Sequence, residues 1–299
     1  MLRSYPKLSS FPEILPSELQ AEILLALPPK EILRICSEIE GLKRGCSQDN
    51  FWERVWLKWV SPRLPEFRVL PIREILYELV EETKERTPEQ LLIQGSLRGI
   101  LFYVIEALER GAEISAEDEK ALILAARNGY LDIVKYLVES GADISANGDE
   151  ALRDAAANGH LDVVKYLVES GADISAREDE ALRWAAEKGH LDVVKYLVER
   201  GADISAREDE ALFLAAANGH LSTVVYLVES GANGSANEDE ALRWAAARGH
   251  LDVVKYLVES GADISAREDE ALWMASKFGH RDVVQYLISK GADPSVIDY

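Results

Sequence analysis

Residues 179–208 read DEALRWAAEKGHLDVVKYLVERGADISARE, and the stretch returns at 239–268 with three changes, at Glu187, Lys188 and Arg200. Aligning Gly129, Gly159, Gly189, Gly219, Gly249 and Gly279 sets a period of 30 residues, so that six units begin at Glu119, Asp149, Asp179, Asp209, Asp239 and Asp269. A fixed period of this length means an array of supersecondary units. A seventh copy, residues 90–118, keeps Gly99, Val104, Leu108, Gly111, Ala112, Ile114 and Ser115 but has otherwise drifted, as terminal units do when one face has no neighbour.

Within the unit, Asp179 precedes apolar Leu182, Ala185 and Ala186 at helical spacing, and Gly189 follows as a left-handed stop. Leu191, Val193, Val194, Leu197 and Val198 form a second helical face that opens with Asp192 and closes at Gly201. Each unit is therefore a helical hairpin, and the paired alanines let neighbouring hairpins approach closely. The chain here resembles the ankyrin repeat, on Gly189–Val198 (GHLDVVKYLV) and Gly201, Ala202, Asp203 and Ile204. The resemblance implies an all-α, ankyrin-like helical-hairpin solenoid over residues 89–299. The family's Thr-Pro-Leu-His is replaced by Glu180, Ala181, Leu182 and Arg183, and the connection from Gly201 to Ala215 is about three residues shorter than usual. A stunted finger leaves the concave wall of first helices as the expected binding face.

Net charge narrows the choice of ligand. The chain carries −20, and residues 88–299 hold 20 basic against 39 acidic side chains. Nucleic-acid affinity rests on neutralising phosphates with Lys and Arg, so this array is not expected to bind nucleic acid. The acids either keep the repeats solvated or recruit a basic partner. Apolar runs are short and interrupted by charge, residues 1–10 lack the apolar core of a signal peptide, and no membrane association is expected. Cys36 and Cys46 are too few for a disulfide framework, which fits a reducing, cytoplasmic or nuclear compartment.

Ahead of the array, prolines 12, 16, 28 and 29 and Gly41 cut residues 11–60 into short helical pieces with stripes at Leu19, Ile23, Leu24 and Leu27, at Ile32, Leu33 and Cys36, and at Phe51, Trp52 and Trp56. This small three-helix module, residues 1–60, resembles an F-box on Leu15, Pro16, Glu18, Leu19, Ile23, Leu24, Leu27, Pro28, Ile32, Leu33, Cys36, Phe51 and Trp52. The resemblance implies docking on Skp1, the adaptor of cullin-type ubiquitin ligases, through Leu15, Pro16, Leu19, Ile23, Leu24, Leu27, Pro28, Ile32, Leu33 and Trp52. Ser37, Glu38 and Ile39 depart from the family's basic-then-aromatic pattern. The alternative is a helical cap on the first repeat. Residues 61–88 read as a connecting amphipathic helix behind a Pro-rich crossing, ended at Thr87-Pro88.

Repeats that share a fold can differ only where the fold permits. The fifth position reads Ile123, Arg153, Arg183, Phe213, Arg243, Trp273, and the sixth Leu124, Asp154, Trp184, Leu214, Trp244, Met274. At 100° per residue the sixth position faces away from the buried Leu and Ala-Ala side, and so should line the concave wall. The expected target-binding residues are Arg183, Trp184, Phe213, Leu214, Arg243, Trp244, Trp273 and Met274, a protein-interface composition. Two bland readings stand beside this: the rings lie flat on the neighbouring helix, and each arginine pairs with the Asp four residues before it.

All five histidines share one repeat position and read as turn residues. The sequence holds no phosphate-cradling Gly-rich loop, zinc-ligand cluster or Gly-x-Ser-x-Gly, so no enzyme, metal or cofactor is expected. The resulting expectation is a monomeric substrate-recognition adaptor that joins Skp1 to an unknown target protein. Such combinations are known among large DNA viruses, in which case it would act in a host cell. A pure ankyrin scaffold or inhibitor is the alternative.

Overall fold

The computed structural model describes residues 83–297. The F-box-like residues, from Leu15 to Trp52, and residues 61–82 of the connecting segment lie outside the described residues. From Pro88 onward there are fourteen α-helices, and the described residues contain no strand. Contacts divide the chain into two compact units, residues 1–116 and 117–299.

In the first unit, α1 (Pro88–Arg98) and α2 (Leu101–Glu109) form a tight hairpin. Thr87 caps α1 by accepting from the Gln90 N–H, while the Gln90 side chain accepts from the Thr87 N–H, and Pro88 takes the first helical position where no donor is missed. A Cβ at Gly95 would fall 2.7 Å from a Val104 methyl, so the helices touch where the side chain is absent. The degenerate copy belongs to this unit.

The second unit consists of six hairpins. Their first helices are α3 (Ala116–Arg127), α5 (Ala146–Ala157), α7 (Ala176–Glu187), α9 (Ala206–Ala217), α11 (Ala236–Ala247) and α13 (Ala266–Lys277). Their second helices are α4 (Leu131–Glu139), α6 (Leu161–Glu169), α8 (Leu191–Glu199), α10 (Leu221–Glu229), α12 (Leu251–Glu259) and α14 (Arg281–Ser289). From α5 to α13 each first helix packs on the next, and the second helices stack in a parallel row. The core is what the pattern predicts: Leu182, Ala185, Ala186, Val193, Val194 and Leu197 are all buried, and so are their equivalents in the flanking hairpins. Removing each such Val or Leu from water is worth about 1.5–3 kcal/mol, and that gain requires the neighbouring hairpin.

The histidines tie hairpin to hairpin. The Nε2 atoms of His160, His190, His220, His250 and His280 lie 2.9–3.1 Å from the carbonyl oxygens of Arg127, Ala157, Glu187, Ala217 and Ala247, each in the preceding repeat. The ring of His220 rests on Gly189, whose φ of +73° already favours glycine; a Cβ there would come 2.5 Å from Nδ1.

The connection between hairpins differs from the sequence expectation. Asp179 does not cap its own helix: its carboxylate accepts at 2.9 Å from the Asp203 N–H in the loop at the end of its own repeat. Ahead of it, Arg177, Glu178 and Asp179 form a left-handed turn, with φ of 52°, 59° and 56°. The same three positions are left-handed in all six hairpins. Non-glycine residues there cost roughly 1 kcal/mol each, so something must hold them.

At the far end, Arg281, Gln285, Ser289, Lys290 and Pro294 are exposed. Trp273, Phe278 and Ile288 are exposed beside them. The closing hairpin thus shows both polar and large apolar side chains to solvent.

Candidate functional site

In three of the six hairpins an arginine at the fifth repeat position braces the left-handed turn. Arg183 donates from Nε to the Glu178 carbonyl at 3.0 Å and from one Nη to the Arg177 carbonyl at 3.1 Å, while its other Nη meets Glu210 of the next repeat at 2.7 Å. Arg243 repeats this on Glu238, Asn237 and Glu270, and Arg153 on Gly148, Asn147 and Glu180. These arginines are 3–5% exposed. A buried guanidinium with its donors satisfied locks both the turn and the register between repeats. The solvated helix pair expected between Asp179 and Arg183 is therefore not what forms. Burial removes both groups from water, and each finds a partner outside the helix face they share.

Burial also bears on the acids. It raises the carboxyls of Glu119, Asp149 and Asp179 above their ordinary values, opposed by the N–H groups of residues 143, 173 and 203. Asp154, pushed up by burial, is held by Arg127 at 2.7 Å.

Apart from buried Asp154, the sixth-position side chains lie half-buried along the first helices, so the flat-lying account describes part of each one and leaves the rest open to solvent. Trp184 sits 5.4 Å from the Arg153 guanidinium of the preceding repeat, and Trp244 meets Phe213 edge-on with centroids 6.3 Å apart. Position six of one hairpin thus leans on position five of the one before it. After Leu124 the row is polar at the Asp154–Arg127 pair and then apolar through Trp184, Leu214, Trp244 and Met274. Phe213 is half-exposed and Trp273 is 38% exposed, with the Lys277 ammonium 4.3 Å from the Trp273 ring. Of the eight expected residues, then, six present surface and two, Arg183 and Arg243, stand beneath it.

Sequence reasoning missed Glu210, Glu240 and Glu270, the acids at the second repeat position. A Glu at the second position of five of the six units, beside a variable fifth position, was the available signal. Among the described residues no group of three His, Cys, Asp and Glu side chains is placed to hold a metal ion, and no helix is long and apolar enough to cross a membrane.

A stack of helical hairpins with a half-exposed aromatic row defines the class: a repeat protein that offers a surface for protein–protein interaction. The model of ankyrin repeats in three copies matches residues 92–178, 122–208, 182–268 and 212–298, and the chain belongs to the ankyrin-repeat family. Among solved structures, the human ASB11 ankyrin repeat domain is similar at 23% identity and a TM-score of 0.62, over 70% of this chain and 100% of that one. No curated protein matches. The ankyrin fold is an interaction scaffold, and its ligand is a protein.

Proposed function

We propose that this chain is a non-enzymatic recognition subunit in which the ankyrin array captures a target protein and the N-terminal segment links it to a ubiquitin ligase. The observation that carries the first half is the half-exposed row Trp184, Phe213, Leu214, Trp244, Trp273 and Met274, rigidly set on successive first helices. Aromatic and Met side chains on a stiff support favour a protein interface, because little conformational entropy is lost when they are covered. The second half rests on sequence: the F-box likeness of residues 1–60, joined through residues 61–88, would dock Skp1 through Leu15, Pro16, Leu19, Ile23, Leu24, Leu27, Pro28, Ile32, Leu33 and Trp52.

Purified full chain mixed with purified Skp1 tests the link. Binding by the parent chain that disappears in Leu15→Ala/Pro16→Ala is the expected result. A parent chain that leaves Skp1 free reduces the function to a scaffold or inhibitor that sequesters its partner, a role the array supports by itself.

A further inference from the structure

The repeat beginning at Asp209 lacks the buried arginine: Phe213 stands where Arg183 and Arg243 stand in its neighbours. A second change falls on the same spot. Glu210 and Glu270 each have two guanidinium groups within reach, Arg183 at 2.7 Å and Arg207 at 3.3 Å for the first, Arg243 at 2.7 Å and Arg267 at 3.6 Å for the second. At Glu240 both cations are replaced, by Phe213 and by Asn237. Asn237 Nδ2 donates to Glu240 at 2.5 Å, and among the described residues no cationic side chain comes within ion-pair distance of that carboxylate. The surrounding backbone is unaltered: Arg207, Glu208 and Asp209 keep φ of 53°, 60° and 60°, as their counterparts do. An open depression of about 200 Å³, lined by Arg207, Glu208, Glu210, Phe213 and Glu240, marks the place. Arg207 in its wall is committed to Glu178 and Glu210.

We infer that this depression receives an arginine side chain from the partner protein. Three sister repeats show what such a place binds: a guanidinium, two turn carbonyls and the next repeat's Glu, at 2.7–3.2 Å where Arg183 and Arg243 fill it. At Phe213 the chain withholds its own guanidinium, retains the turn and the Glu, and supplies a half-exposed aromatic face on which an incoming guanidinium stacks. The partner's arginine places its planar face on Phe213 and donates to Glu240 and to the carbonyls of Arg207 and Glu208. The excess of acids over bases in the array attracts a partner that carries such a residue. This deepens the reading of the first-helix face as a protein-binding surface and rests on it.

The test uses N-acetyl-L-arginine amide as probe on the full chain, with the Phe213 and Trp244 ring signals followed by NMR. A saturable shift confined to these rings is expected. N-acetyl-L-lysine amide should bind at least about fivefold more weakly, because an ammonium cannot match the planar fork. Glu240→Gln should weaken the arginine probe by at least about fivefold, and Phe213→Arg, which restores the sister arrangement, should abolish its binding. No saturable shift, equal binding of the lysine probe, or binding unaltered in both variants overturns the inference. Loss of Skp1 binding leaves these shifts where they are, so failure of the adaptor reading is told apart from failure of the arginine site.

Discussion

The repeat at 209–238 sits between two repeats, 179–208 and 239–268, that differ from each other at three positions, yet it differs from the latter at nine: Phe213, Leu214, Asn218, Ser222, Thr223, Val225, Asn233, Gly234 and Asn237. All three adopt the same hairpin, and the left-handed turn has the same dihedrals with or without its arginine. The arginine therefore stabilises the turn without determining its shape. Where it is present, the repeat directs its bonding inward and to its neighbour. Where Phe213 replaces it, the same backbone carries a carboxylate bonded to Asn237 instead of to a guanidinium, and a half-exposed ring. One fold thus supports two kinds of surface, and the choice rests on one or two side chains.

The largest effect expected to separate the two kinds is at the arginine itself. Arg183→Ala leaves the Arg177 and Glu178 carbonyls without their donor and Glu210 with Arg207 alone, and should cost about 2–4 kcal/mol in urea unfolding. Phe213→Ala removes a half-exposed ring and should cost about 1–2 kcal/mol. If the two losses came out equal, the arginine would be no more structural than the phenylalanine. Converting the odd repeat into its neighbours sharpens the contrast from the other side. Phe213→Arg with Asn237→Arg should raise stability by about 1 kcal/mol, seen as a higher urea midpoint, and a lower midpoint would mean that the turn in this repeat cannot accept a guanidinium.

A smaller difference lies on the second helices. Lys195 stands 5.8 Å from the Tyr226 ring and Lys255 6.0 Å from that of Tyr286, whereas Val225 occupies the corresponding place before Tyr256. Val225→Lys should add about 0.5 kcal/mol by continuing the ladder. Smallest is the effect of pH at the hairpin that follows the odd repeat. Burial holds His250 below the ordinary histidine value near 6.5, so the unfolded chain takes up the proton first. The stability contributed by neutral His250 is full above about pH 6.5 and is lost as pH falls through the lower folded-state value. A thermal midpoint that drops between about pH 7.5 and 5.5, with a shallower drop in His250→Gln, is the expected outcome. Identical slopes would place the acid sensitivity elsewhere.

Much of this architecture was legible in the chain. The 30-residue period, the apolar spacing of Leu182, Ala185, Ala186, Val193, Val194 and Leu197 and the glycine stops are enough to establish hairpins that must stack, because an amphipathic hairpin cannot bury its face alone. The six residues that present surface were legible too, as variable positions in an otherwise constant unit. The two arginines were not read correctly, because spacing along a helix reports which face a residue occupies and not what another repeat brings to meet it. Asp179 was missed for the same reason: its partner lies 24 residues away in the chain.

The sequence by itself determined the repeat unit, its helices and the acidity of the array, since these follow from local spacing and composition. The tertiary structure decided which charged side chains are structural and which are free to bind. A left-handed turn, two carbonyls and a glutamate from the next repeat become one guanidinium site only once hairpins stack. Only against that shared site does Phe213 read as an opening, where the sequence shows one more variable position.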